Sequence, residues 1–89
     1  MAILMISEIE GQTAEGYERV LDMVQPHYAD AQGFVMHSGH ATDSGWRVVE
    51  VWESREDAGR FFAQHVAPKL SKGIHPKVRF EPLYRLVRR

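Results

Sequence analysis

The sequence predicts an α+β sandwich: a four-stranded antiparallel sheet with two helices on one face, in the order βαββαβ. Three observations lead there. Short apolar runs rich in β-branched residues alternate with two stretches whose apolar residues recur at helical spacing. Glycines at 11, 33, 45 and 73 punctuate the boundaries. The run Trp46–Trp52 is apolar on both faces, with Trp46, Val48 and Trp52 on one side and Val49 and Val51 on the other.

Residues 2–9 (AILMISEI) suit a buried strand. Gly11 and Gln12 turn the chain, and Thr13 is placed to cap a helix whose inner face is Tyr17, Val20, Leu21, Val24 and Tyr28. Pro26 falls inside that pattern, so the helix is expected to end near Val24 or to kink there before a last turn. Gly33 restarts the chain into a second strand, FVMHSGHA, whose alternation is imperfect. Thr42-Asp43-Ser44-Gly45 has turn chemistry, with Gly45 expected at positive φ, and WRVVEVW returns as the other arm of a hairpin. Ser54, with Asp57 three residues on, makes a capping-box pattern that opens a second helix. Its face is Ala58, Phe61, Phe62, His65, Val66 and Leu70; Pro68 is expected to break or bend it, and Lys72-Gly73 to close it. Residues 77–87 are expected to form the last strand, at a sheet edge because of Pro82. Right-handed helical crossovers then give a ferredoxin-like sandwich.

The 89 residues are expected to form one domain, 1–89, whose core is marginal without a disulfide, a metal or a partner. The chain has no cysteine, which excludes disulfides, thiolate zinc sites and a thiol nucleophile. Two helices cover only one face of the sheet, and a half-solvated sheet would show clean alternation. A second copy is the simplest cover for the other face, so a homodimer joined sheet to sheet is expected. Net charge is −1 and basic residues are spread along the chain, so no nucleic-acid partner is expected. The N-terminal apolar run lacks a basic flank and is too short to span a bilayer, which points away from the membrane and toward the cytoplasm.

Gly33-Phe34 at the start of the second strand, with WRVVEVWESREDAGRFFAQHVAPKL over residues 46–70, resembles the dimeric α/β-barrel superfamily, close to the antibiotic-biosynthesis-monooxygenase-like (ABM-like) proteins. The resemblance implies a ligand cavity between sheet and helices in each protomer, with Trp52 at its mouth or wall and Val48 behind it. Cofactor-independent monooxygenases of this type carry an asparagine four residues before that tryptophan; here the position is Val48, and the chain contains no asparagine. The haem-degrading relatives' tryptophan and histidine fall on Phe61 and Ser71, and the polyketide cyclase's tyrosine and histidine near Phe61 and Ala67. None of those catalytic sets is intact.

Acid–base residues are therefore sought elsewhere. His65 shares a helical face with Phe61 and Phe62, which aims it at the sheet, where it is either a base near neutral pH or a histidine bonded to a backbone carbonyl. Glu50 shares its strand face with Val48 and Trp52, which puts a carboxylate among apolar groups. The alternatives are a solvated groove edge or an ion pair with an arginine. His37 and His40 lie on the second strand with opposite parity, so at most one faces the cavity, and HSGH is not a metal-ligand spacing. The catalytic candidates are thus His65, Glu50 and His37. Trp52, Val48, Phe61, Phe62, Tyr17 and Phe34 are expected to line the pocket. They suit a flat, apolar, aromatic or polyketide-like ligand, handled without metal or flavin by oxygenation or by acid–base cyclisation or isomerisation. The alternative is a non-catalytic module that binds a hydrophobic ligand or assists another enzyme.

Overall fold

The structure, a computed structural model, describes residues 2–89. Six regular elements follow the expected order: β1 (Ile3–Glu10), α1 (Ala14–Tyr28), β2 (Phe34–Ala41), β3 (Gly45–Trp52), α2 (Arg55–Phe61) and β4 (Lys77–Pro82). The strands form one antiparallel sheet in the order β2-β3-β1-β4, so the two apolar strands lie at its centre. Thr13 and Ser54 cap the helices as expected, accepting from the Gly16 and Asp57 amides at 3.0 and 3.1 Å.

The helix-facing side of the sheet carries Met5, Ser7, Ile9, Val48, Glu50, Trp52 and Phe80. The core is built there from Met5, Val24, Trp52, Ala58 and Phe61. Trp52 is wholly buried, and removing a tryptophan from water at about 25 cal/mol per Å² is worth roughly 4–6 kcal/mol. The opposite side carries Leu4, Ile6, Val49 and Val51, rimmed by Glu8, Arg47, Arg79 and Glu81. Glu8 accepts from Arg47 Nε at 2.8 Å and from Arg79 at 3.4 Å.

Several local expectations need correction. α1 runs through Pro26 to Tyr28, so of the two expectations it is the end near Val24 that fails, and the last turn forms with the proline in it. Proline there removes only the hydrogen bond to the Asp22 carbonyl, and both residues are exposed, so water takes its place. Gly45 is not at positive φ; the left-handed glycines are Gly11, Gly33 and Gly73. Glycine is needed at 45 for space, because a Cβ would overlap the Ile9 carbonyl oxygen. The second helix is α-helical only to Phe61, then widens into a π-turn over Phe62–Val66 and tightens into a 3₁₀ turn at Ala67–Lys69. Finally, β4 is the expected edge strand but ends at Pro82, which has no amide to continue the ladder, so residues 83–87 fall outside the sheet.

Candidate functional site

One irregularity in the sheet pairing sets up the site. β2 pairs with β3 as Phe34↔Trp52 and then Met36↔Val51, with a bulge between them. One extra residue flips the parity of the rest of the strand. Phe34 and His37 therefore both face the helices, although strict alternation would put them on opposite sides. His40 faces away and approaches an Arg47 guanidinium nitrogen at 3.2 Å.

His37 lies directly across the ladder from Glu50, and its Nδ1 meets Glu50 Oε2 at 2.6 Å. On α1, Tyr17 and Tyr28 stand three helical turns apart on one face and aim their phenols at the same histidine. Tyr17 Oη lies 2.5 Å from His37 Nε2. Tyr28 Oη donates to Glu50 Oε2 at 2.6 Å and lies 3.2 Å from His37 Nδ1. The buried indole of Trp52 donates to Glu50 Oε1 at 2.9 Å. Glu50, only 6% exposed, thus receives three donors on its two oxygens, which offset the cost of removing the carboxylate from water.

These bonds fix the tautomer. An ionised carboxylate only accepts, so His37 Nδ1 carries the proton and Nε2 presents a lone pair to the Tyr17 hydroxyl. The result is an ordered relay, Tyr17–His37–Glu50, in which the phenol can pass its proton to the imidazole and the carboxylate stabilises the imidazolium. Burial, aided by the charges of Glu18 and Glu50, holds the Tyr17 phenol above the ordinary tyrosine range. Burial and the adjacent Glu50 charge push Tyr28 well above it. Both phenols therefore keep their protons at neutral pH.

Tyr17 is positioned from below. Its ring stacks on Trp46 with centroids 5.0 Å apart, and both lie over Gly39, where a Cβ would come within 2.7 Å of the Tyr17 hydroxyl and 3.0 Å of Trp46 Nε1. Glycine at 39 is what lets the phenol reach His37. Among the described residues, Trp46 Nε1 is the one buried side-chain polar atom without a partner.

The space around the relay is divided. Between sheet and helices lies a narrow void of about 60 Å³, lined by Met5, Val24, Val48, Phe61, Phe62 and Val66 and reached by Tyr17, Tyr28, His37 and Glu50. The cavity expected there is thus far smaller than the roughly 300–1,000 Å³ of a drug-sized pocket. A second, open groove of about 700 Å³ runs outside it, between α1 and the edge strand β2, with Leu21, Gln25, Phe34 and Met36 among its walls. Tyr17, Tyr28 and His37 border both spaces.

The structure brings together Glu50, His37 and Tyr17, with Val48, Phe61 and Phe62 on the inner wall and Phe34 on the outer. It does not bring His65 to them. The π-turn rotates His65 toward the end of α1, where it stacks on His27 at 4.2 Å and leans on Phe61 at 4.9 Å. Trp52 is not at the cavity mouth but behind Glu50, as a hydrogen-bond donor. Sequence reasoning missed Tyr28, whose eleven-residue spacing from Tyr17 was the available signal.

No protein-family model and no curated protein matches the sequence. Solved structures do match in shape. SnoaB, a cofactor-independent oxygenase from Streptomyces nogalater, superposes with a TM-score of 0.73 at 17% identity, over 97% of this chain and 96% of that one. A candidate antibiotic biosynthesis monooxygenase from Bordetella bronchiseptica gives 0.65 at 16% identity, over 94% and 98%. A candidate monooxygenase from Shewanella loihica gives 0.62 at 17% identity, over 96% of each chain. At such identities the likeness is one of architecture, and the chain has the fold of the antibiotic-biosynthesis-monooxygenase-like proteins.

Proposed function

We propose that this chain is a small cofactor-independent enzyme that withdraws a proton from an aromatic or polyketide-like carbon acid, with Tyr17–His37–Glu50 as its acid–base machinery. The observation that carries this reading is the unbroken hydrogen-bonded path from a phenol bordering the groove to a buried carboxylate. In the proposed step, Tyr17 Oη accepts the substrate proton as its own proton passes to His37 Nε2, and Glu50 balances the imidazolium. Stacked aromatic walls and the apolar side of the groove suit a flat, multi-ring ligand.

The anion so formed has two fates: reaction with dioxygen, or acid–base cyclisation or isomerisation. The fold shared with a cofactor-independent oxygenase favours the first. An anthrone, a three-ring carbon acid, is a suitable probe. In deuterated buffer without oxygen, the protein should exchange the acidic C–H of the anthrone faster than buffer alone, and His37→Ala should lose that acceleration. In air, oxygen uptake above the protein-free rate selects the oxygenase branch, and exchange without uptake selects cyclisation or isomerisation. Anthrone binding with no exchange overturns the enzyme reading in favour of a hydrophobic-ligand module. We also infer that a second copy covers the outer side of the sheet, because the half-buried Leu4 and Val49, beside the buried Ile6 and Val51, give that side an apolar centre on which neither helix packs.

A further inference from the structure

The narrow void behind the relay does not suit a multi-ring ligand, yet it lies where a second, smaller reactant is needed. One held water takes up about 10–15 Å³ of such space, so a void of about 60 Å³ admits a molecule of only a few heavy atoms. Its wall is mostly apolar, from Met5, Val24, Val48, Phe61 and Val66. Of the polar side chains on its rim, Tyr28 and His37 bond to Glu50, Tyr17 bonds to His37 and Gln12 accepts from the Thr13 amide, which leaves the Ser7 hydroxyl as a single group facing the space. Water needs two to four free partners to be held, and spaces that do not supply them stay dry and take up nonpolar molecules.

We propose that this void binds dioxygen, while the aromatic substrate lies in the outer groove across the Tyr17–His37–Tyr28 wall. This rests on the oxygenase branch of the function proposed above and assigns the second reactant its own compartment. The overall reaction converts a ring CH₂ to C=O. Two C–H bonds break and one C=O bond forms. Carbon gives up four electrons and dioxygen accepts four, one oxygen atom ending in the product carbonyl and the other in water. The relay carries the first proton off carbon and releases it to the water formed. No outside reductant is required. Displacement of the Tyr17 side chain, which borders both spaces, joins the two compartments.

The test is methyl NMR of the full chain under oxygen pressure, with nitrogen at the same pressure as reference. Dioxygen is paramagnetic, so methyls beside its site relax faster. The methyls of Met5, Val24, Val48 and Val66 should show a larger enhancement than those of Val87, which is 80% exposed and samples bulk oxygen. Val48→Phe, which fills the void, should abolish the enhancement at Val24 and Met5 and leave that at Val87. Xenon titration of the unaltered protein reads the same site without a variant, by shifts confined to the same methyls. Enhancement at the inner methyls no greater than at Val87, with no xenon shift, overturns the proposal. The anthrone exchange assay keeps the two readings apart: exchange without inner enhancement removes the dioxygen site and leaves the relay. Inner enhancement without exchange keeps a nonpolar-gas site and overturns its role in oxygenation.

Discussion

Glu50 is the residue on which the site's stability and chemistry meet. Glu50→Gln would present an amide NH₂ to groups that are themselves donors, so at least one of Tyr28, His37 and Trp52 loses its acceptor. A buried polar group left unpaired costs about 1–3 kcal/mol, and thermal unfolding should show a loss of that size together with at least a tenfold fall in anthrone exchange. His37→Ala should cost less stability, because His37 is only partly buried, and as much activity. The tyrosines predict a pH effect. Their folded-state pKa values are raised above the unfolded value near 10, so the stabilisation is fully present below that pH and declines above it. Urea midpoints measured from pH 8 to 11 should fall at the alkaline end, and Tyr28→Phe should flatten that fall. At this scale the sequence was partly legible. Glu50 and His37 could be singled out as a carboxylate and a histidine on adjacent strands. His65 misled because helical periodicity assumes 3.6 residues per turn, and the π-turn breaks that period where it was being used.

At the level of elements, two departures from regularity do the positioning: the β2 bulge and the bare backbone at Gly39. Neither can be read from periodicity, since a bulge is an insertion whose location depends on the partner strand. The imperfect alternation of FVMHSGHA was its only trace. Gly39→Ala tests this scale. The added methyl pushes on the Tyr17 phenol and the Trp46 indole, so the Tyr17–His37 bond should break while the sheet persists. Exchange activity should fall with little change in far-ultraviolet circular dichroism, and the His37 ring protons should shift. If activity is unchanged, the relay is not what Tyr17 contributes. The N-terminal helix caps, by contrast, were legible, because Thr13 and Ser54 act through local bonds, whereas the second helix ends short of the Lys72-Gly73 expected to close it. Ser54→Ala should cost about 1 kcal/mol, read from the unfolding midpoint.

For the whole molecule, the sandwich was legible because it depends on coarse pattern: two amphipathic helices and central strands apolar on both faces. The size of the inner space was not, since a void is a remainder after packing and no single residue encodes it. The outer side of the sheet carries the dimer prediction. Val49→Glu places a charge in its apolar centre and should shift the protein from dimer to monomer in analytical ultracentrifugation. A wild-type chain that sediments as a monomer at micromolar concentration would dispose of the inferred interface.

The position of β1 has a further consequence, in time rather than in space. The first strand to be made pairs with β3 on one side and with β4 on the other, so Ile3 faces both Trp52 and Pro82. Its backbone groups on the β3 side stay unmatched until Trp52 is made, and those on the β4 side until Pro82, because no early hairpin can satisfy them. Such long loop closures make folding slow and all-or-none. A nascent chain holding only the first half has a sticky, isoleucine-rich strand with nowhere to dock, so synthesis is a stage at which this protein is exposed to aggregation.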